Sequence, residues 1–238
     1  MTPAPLVADE EHGLAVARSR VYAFLASLFN QPPQEPLLRL LADESGEEAD
    51  GLRELFGDGL HAELASGARE ALASPESLAR DFDALLRIPQ DRYLAPYESA
   101  YRGTPARKTR GMGLLMGRQT REVAALYRMA GVALGGECKE LPDHVAVELQ
   151  FLADCASQEA EALLTGQSAE AEGWRGLQSR FQTEHVMQWV PAMCRRMEQQ
   201  ASTGFFRAVA RVLPEVLGRD LEARRAECPP SAGPTSPV

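Results

Sequence analysis

Residues 14–36 read LAVARSRVYAFLASLFNQPPQEP, and their pattern decides the fold class. Leu14, Ala17, Val21, Phe24, Leu25 and Leu28 recur at steps of three and four, which places them in one apolar stripe of a helix. The stripe stops where Asn30, Pro32, Pro33 and Pro36 remove amide donors and block a straight continuation. Ala and Leu dominate the whole chain while Ile occurs once, at Ile88, a balance that favours helix over sheet. The expectation is an all-α protein.

Working outward, a short helix is expected over Leu37 to Ala42, followed by an acidic loop around DESGEEADG. Ser74 and Pro75 form an N-cap and first-turn pair for a helix through Leu78, Phe82, Leu85 and Leu86 that ends before Pro89. DRYLAPYESAY predicts another helix, kinked or started near Pro96. Residues 102–118, RGTPARKTRGMGLLMGR, carry basic and glycine residues but no acidic one and read as a mobile connector. Helical pattern resumes from Thr120 to Ala130, with Gly131 as its C-terminal cap, and again from Pro142 to Leu164. A long helix through FQTEHVMQWVPAMCRRMEQQ should bend at Pro191, and a last one runs from about Gly204 to Leu217 with a short helix beyond. The organisation read from this is a flexible N-terminus over 1–12, one compact helical domain over 13–226 with about nine to eleven helices, and a disordered tail over 227–238.

The chain has 238 residues, 45% hydrophobic and 25% charged, the composition of an ordinary globular protein with material for a sizeable core. No apolar run approaches the roughly 20 residues of a membrane span, and MTPAPLVADEEHG lacks a basic leader with an apolar core, so a cytoplasmic location is expected. Cys138, Cys155, Cys194 and Cys228 show no CxxC spacing and are read as reduced thiols. A net charge of −9 argues against a general nucleic-acid binder and favours a cationic peptide or protein partner at encounter.

The stretch GGECKELPDHVAVELQFLADC, residues 135–155, concentrates the candidate chemistry. His144 and Glu148, one turn apart, adjoin the apolar face and are read as a half-buried hydrogen-bonded pair. Asp143 points elsewhere and is placed to cap the amides of the first turn. A catalytic acid–base pair is the competing reading, but a capped helix with a satisfied pair needs no activity. No Glu-x-x-His pair or zinc-finger spacing accompanies these residues, so no metal and no cofactor is expected. GMGLLMGRQT fails the dinucleotide pattern at Met116 and the phosphate-loop pattern at Arg118 and Gln119. His185, four residues from both Phe181 and Trp189, reads as a core histidine beside aromatics.

Taken in order, VYAFLASLFNQPP, YLAPYESAY, LPDHVAVELQFL and FQTEHVMQWVP followed by FFRAVARVL resemble the TorD/DmsD/NarJ family of chaperones that mature molybdenum-cofactor oxidoreductases. The family motif Glu-Pro-Asp-His is matched at Pro142, Asp143 and His144, with Leu141 where Glu is often found and Glu140 just before it. The resemblance implies a single all-helical domain that binds a client's leader peptide, often a twin-arginine signal, or the apo-enzyme itself, without turnover. It carries over Tyr97, Glu98, Ser99 and Tyr101 from the tyrosine-serine segment, and Asp143 and His144 from the Pro-Asp-His segment. A twin-arginine leader calls for carboxylates beside an apolar groove, and Glu98, Asp143 and Glu148 with Tyr97 and Tyr101 are the candidates. The implied partner is the catalytic subunit of a molybdoenzyme with its leader, for a chaperone that is a monomer or homodimer; a nucleotide- or metal-dependent switch and a structural adaptor are the alternatives.

Overall fold

The computed structural model describes residues 4–103, 113–132 and 140–227. Among them the architecture is helical, without a strand, and Tyr97 and His144 form an isolated bridge. The N-terminal helix α1 (Ala4–Asn30) begins within the segment expected to be flexible. Its early turns are tied down: His12 Nδ1 lies 3.0 Å from the Ala160 carbonyl, and Glu11 pairs with Arg175 at 3.3 Å. The end at Asn30, before the prolines, is where the sequence places it.

Helices α2 (Glu35–Ala42), α3 (Glu47–Phe56), α4 (Asp58–Ala73) and α5 (Pro75–Phe82) follow, the last continued by a π-helical turn at Asp83–Arg87. The acidic stretch expected as a loop instead opens α3. Glu47, Glu48 and Asp50 occupy its first turn, where negative charge complements the free amides and the helix dipole. Helix α4 has no counterpart in the sequence reading, because its Ala-rich pattern makes only a weak stripe. Its reason lies in packing: a Cβ on Gly67 would sit 2.6 Å from Phe205 Cα, so glycine lets α4 approach the start of α11 (Gly204–Glu227).

That start is capped from outside. Asp81 accepts from the Ser202 and Thr203 amides and the Thr203 hydroxyl, and Glu70 accepts from the Gly204 amide at 2.9 Å. Helix α11 then runs unbroken through Pro214.

The remaining elements are α6 (Glu98–Arg102), α7 (Arg118–Met129), α8 (Val145–Leu164), α9 (Ser168–Phe181), a π-helical turn at Gln182–Val186, and α10 (Met187–Gln200). Of DRYLAPYESAY only the part after Tyr97 is helical, since Pro96 and the left-handed Ala95 (φ 48°) hold the preceding chain extended or turned. Helix α8 starts three residues after Pro142, because His144 is its N-cap. The connector 102–118 falls largely on residues outside the description, as do two of the four cysteines and the tail expected over 227–238, except that Glu227 ends α11. Cys155 and Cys194 are buried free thiols.

Helix α1 lies along α8 and α8 along α9, while α11 bridges α4 and α10. The shared core includes Tyr22, Phe151, Phe181, Trp189, Phe205 and Phe206, each at most 2% exposed. Burial of side chains of this size contributes roughly 1.5–3 kcal/mol each. Phe151 and Phe181 meet edge to face at 4.7 Å and form the floor on which the candidate site rests.

Candidate functional site

Two segments far apart in sequence meet above that floor. The Val145 amide donates to the Pro96 carbonyl at 3.0 Å and the Glu98 amide donates to the Asp143 carbonyl at 2.9 Å, which closes the Tyr97–His144 bridge. The Asp143 side chain completes the junction by accepting from the Ser99 amide at 2.9 Å. Asp143 therefore caps α6 rather than its own helix. Helix α6 has no capping side chain of its own, because Tyr97 occupies the N-cap position.

The cap of α8 is His144. Its Nδ1 accepts from the Ala146 amide at 3.2 Å, and its backbone is extended (φ −76°, ψ 140°), so the helix begins only at Val145. Acceptance requires a bare Nδ1, which fixes the proton of the neutral ring on Nε2. Burial drives the His144 pKa down to about 4, against the opposing pull of Glu140 and Asp143. The ring of Tyr97 packs against it edge-on at 5.0 Å.

The expected His144–Glu148 pair is not formed. With its imidazole committed to the cap, His144 leaves Glu148 to Trp189, whose Nε1–H donates to Glu148 Oε2 at 2.9 Å. Glu148 is buried completely rather than by half. Burial and the adjoining Glu98 carboxylate push its carboxyl well above the usual carboxylate range. Glu148 Oε1 receives no donor among the described residues; in the protonated form it carries the hydrogen and has Glu98 as its acceptor.

Glu98 is also fully buried and is the hub of the cluster. It accepts from the Arg102 guanidinium, and His185 Nδ1 lies 2.9 Å from its Oε2. Arg102 reaches onward to the Glu184 carbonyl at 2.7 Å. His185 stacks on Phe181 at 5.1 Å, as a core histidine beside aromatics, and its polar partner is the Glu98 carboxylate. The π-helical turn of Gln182–Val186 brings it there, a local irregularity of a kind often found at functional sites.

Of the predicted residues, the structure joins Tyr97, Glu98, Ser99, Asp143, His144 and Glu148 in one cluster. Tyr101 lies at its side, donating to the Leu94 carbonyl at 2.7 Å and packing on Trp189 at 5.4 Å. Glu98, Asp143 and Glu148 have no exposed surface, whereas Tyr97 is partly exposed and Glu140 exposed. Tyr97 donates its hydroxyl proton to Glu140 Oε2 at 2.7 Å, so Glu140, one residue away from the family position, supplies the surface carboxylate. Arg102, His185 and Trp189 were missed as site members. The four-residue spacing of Phe181, His185 and Trp189 was the available signal, but it does not reveal which helix they face. Among the described residues no group of three or more His, Cys, Asp or Glu side chains is arranged to hold a metal ion, and no helix is long and apolar enough to cross a membrane.

Comparison with known proteins gives this geometry a context. The sequence model described as nitrate reductase delta subunit matches residues 39–195. The chain is 28% identical over 209 residues to the chaperone protein TorD of Vibrio cholerae, covering 85% of this chain and 90% of that one. It is 25% identical to the perchlorate reductase assembly chaperone protein of Dechloromonas aromatica, over 87% of this chain and 90% of the relative. A shorter match, 33% identical over 105 residues, covers 44% of this chain and 50% of the selenate reductase assembly chaperone protein of Thauera selenatis. These relatives are named as chaperones and assembly proteins, not as enzymes.

Proposed function

Because the chain belongs to the nitrate reductase delta subunit family, the TorD-like group that its motifs resemble, we propose that it is a chaperone for the maturation of a molybdenum-cofactor oxidoreductase. It binds the catalytic subunit of that enzyme, by its leader peptide, its apo-form or both, and holds it in the cytoplasm until the cofactor is inserted. It has no turnover of its own.

The observation that carries this reading is the stitching of the tyrosine-serine segment to the Pro-Asp-His segment by the Glu98, Ser99 and Val145 amides. A junction so deeply buried is a means of fixing a surface, because each of its three buried carboxyl groups, Glu98, Asp143 and Glu148, is engaged by a donor from the protein itself. In this proposal Tyr97, with Glu140 beside it, and the edge of Tyr101 face the client. Glu98, Ser99, Asp143, His144 and Glu148 hold them in place. An aromatic ring next to a carboxylate suits an arginine side chain, which stacks on the first and pairs with the second. The net charge of −9 assists encounter with a cationic leader.

Isothermal titration with a synthetic peptide of twin-arginine type, two arginines followed by an apolar stretch, tests the reading. Binding should weaken with salt and should fall about tenfold when Tyr97→Ala and Glu140→Lys are combined. Absence of binding to leader peptides and to any apo-reductase subunit would remove the chaperone assignment.

A further inference from the structure

The stretch GMGLLMGR, residues 111–118, is no phosphate loop, yet its described part is unusual for a surface turn. Leu114, Leu115 and Met116 are consecutive and exposed at 61%, 45% and 69%. The turn is nevertheless held in position. The Gly113 amide donates to the Ala100 carbonyl at 2.8 Å, and a Cβ on Gly113 would fall 2.7 Å from Gly103 Cα, so two glycine backbones touch beside Ser99. Met116 adopts φ 60°, a left-handed conformation uncommon for a residue with a side chain. An apolar triplet is thus presented to solvent by a pinned backbone, and Met is the side chain best able to adapt to varied partners.

The triplet leads into α7, a helix with two different sides. Val123, Leu126 and Tyr127 are buried, while Arg118, Arg121 and Arg128, at steps of three and seven, are exposed on the other side with Met129 at its end, 75% exposed. Glu122 is the sole acidic residue of α7, and it pairs with Arg118 at 2.6 Å. Arg121 makes no bond to a described residue. In a chain of net charge −9 this is a local basic face, and it continues the apolar turn.

We propose that Leu114–Met116 and the arginine face of α7 form a second docking surface, whose occupant is a client segment that combines apolar side chains with Asp or Glu. The proposal rests on the chaperone reading but concerns the body of the client, since a leader's arginines meet like charge here. A closed twofold dimer through this surface is disfavoured for the same reason, as symmetry would set arginine against arginine. An anionic bilayer would have to approach a protein that is acidic overall.

A photo-reactive phenylalanine analogue at position 115, installed in the full chain and irradiated in cells, tests the surface. Cross-links should map to a redox-enzyme subunit within a segment where Asp or Glu neighbours apolar residues. Their yield should drop about tenfold in Arg118→Glu/Arg121→Glu/Arg128→Glu, while affinity for a twin-arginine peptide stays within about twofold. The milder Arg118→Gln/Arg121→Gln/Arg128→Gln variant, which preserves helix propensity, should show an intermediate loss. Cross-links solely to a second copy of the chain, insertion of position 115 into phosphatidylglycerol vesicles, or a yield unaffected by charge reversal would each overturn the proposal. If twin-arginine peptides bind and the yield ignores the reversal, only the second surface falls; if neither leader peptides nor a reductase subunit binds the unaltered chain, the chaperone reading itself fails.

Discussion

Asp143 Oδ2 accepts the Ser99 amide at 2.9 Å, so the side chain that sequence logic assigns to its own helix caps a helix 44 residues earlier. The bond makes α6 and the start of α8 one unit. Asp143→Ala should cost about 1–2 kcal/mol, the usual worth of an N-cap, measured as a lower urea midpoint. Asp143→Asn keeps an oxygen for the Ser99 amide and should lose less. The pair also separates positioning from contact. If Asp143 acts by holding Tyr97 in place, Asn binds a twin-arginine peptide better than Ala does; equal loss in both would mean that its charge meets the peptide.

Glu148 gives the protein an alkaline sensitivity. Its folded pKa lies above the unfolded value of about 4.3, so the folded state holds more protons and stability falls as pH rises through the interval between the two. Glu148→Gln mimics the protonated acid, with an oxygen for Trp189 Nε1–H and an amide directed at Glu98. Its urea midpoint should equal or exceed that of the unaltered protein at pH 8 and match it near pH 5. A variant less stable at both pH values would show that the ionised form is the native one.

His144 acts in the opposite sense. Its folded value of about 4 lies below the unfolded value of about 6.5, so stability is full above pH 6.5 and is lost as pH falls toward 4. Protonation places a hydrogen on the Nδ1 that must accept the Ala146 amide. The loss is on the order of 2–3 kcal/mol. His144→Asn supplies an N-cap that does not titrate, and its stability should change less between pH 7 and pH 5, read by chemical denaturation at each pH.

Gly67→Ala tests the contact that places α4. The added Cβ would lie 2.6 Å from both Phe205 Cα and its backbone nitrogen, and no rotamer relieves a backbone clash. A loss of about 1–3 kcal/mol is expected, visible as a lower Tm. Gly59→Ala in the same helix, where a Cβ meets nothing within 4 Å, should be neutral or slightly stabilising.

Legibility followed the range of the interactions. The stripe of α1 and its end at the prolines were readable because periodicity and proline act within a few residues. The start of α7 and the left-handed Gly131 (φ 71°) after it were readable for the same reason. Helices α3 and α4 were not: acidic residues in a first turn look like a loop, and an alanine-rich helix that packs through Gly67 makes little stripe. The helical start of α1 at Ala4 depends on partners such as Arg175 and Ala160, which lie far along the chain.

By itself the sequence determined the helical class, the segments that carry the family motifs, and the residues Tyr97, Glu98, Ser99, Asp143, His144 and Glu148 as members of one region. Which of them bond to one another was decided only by the tertiary structure. A helical wheel places His144 beside Glu148, but it cannot show that Trp189 of α10 donates to Glu148 or that the Ser99 amide of α6 donates to Asp143. Buried carboxylates must find donors wherever the packed core supplies them, and that supply is a property of several helices at once.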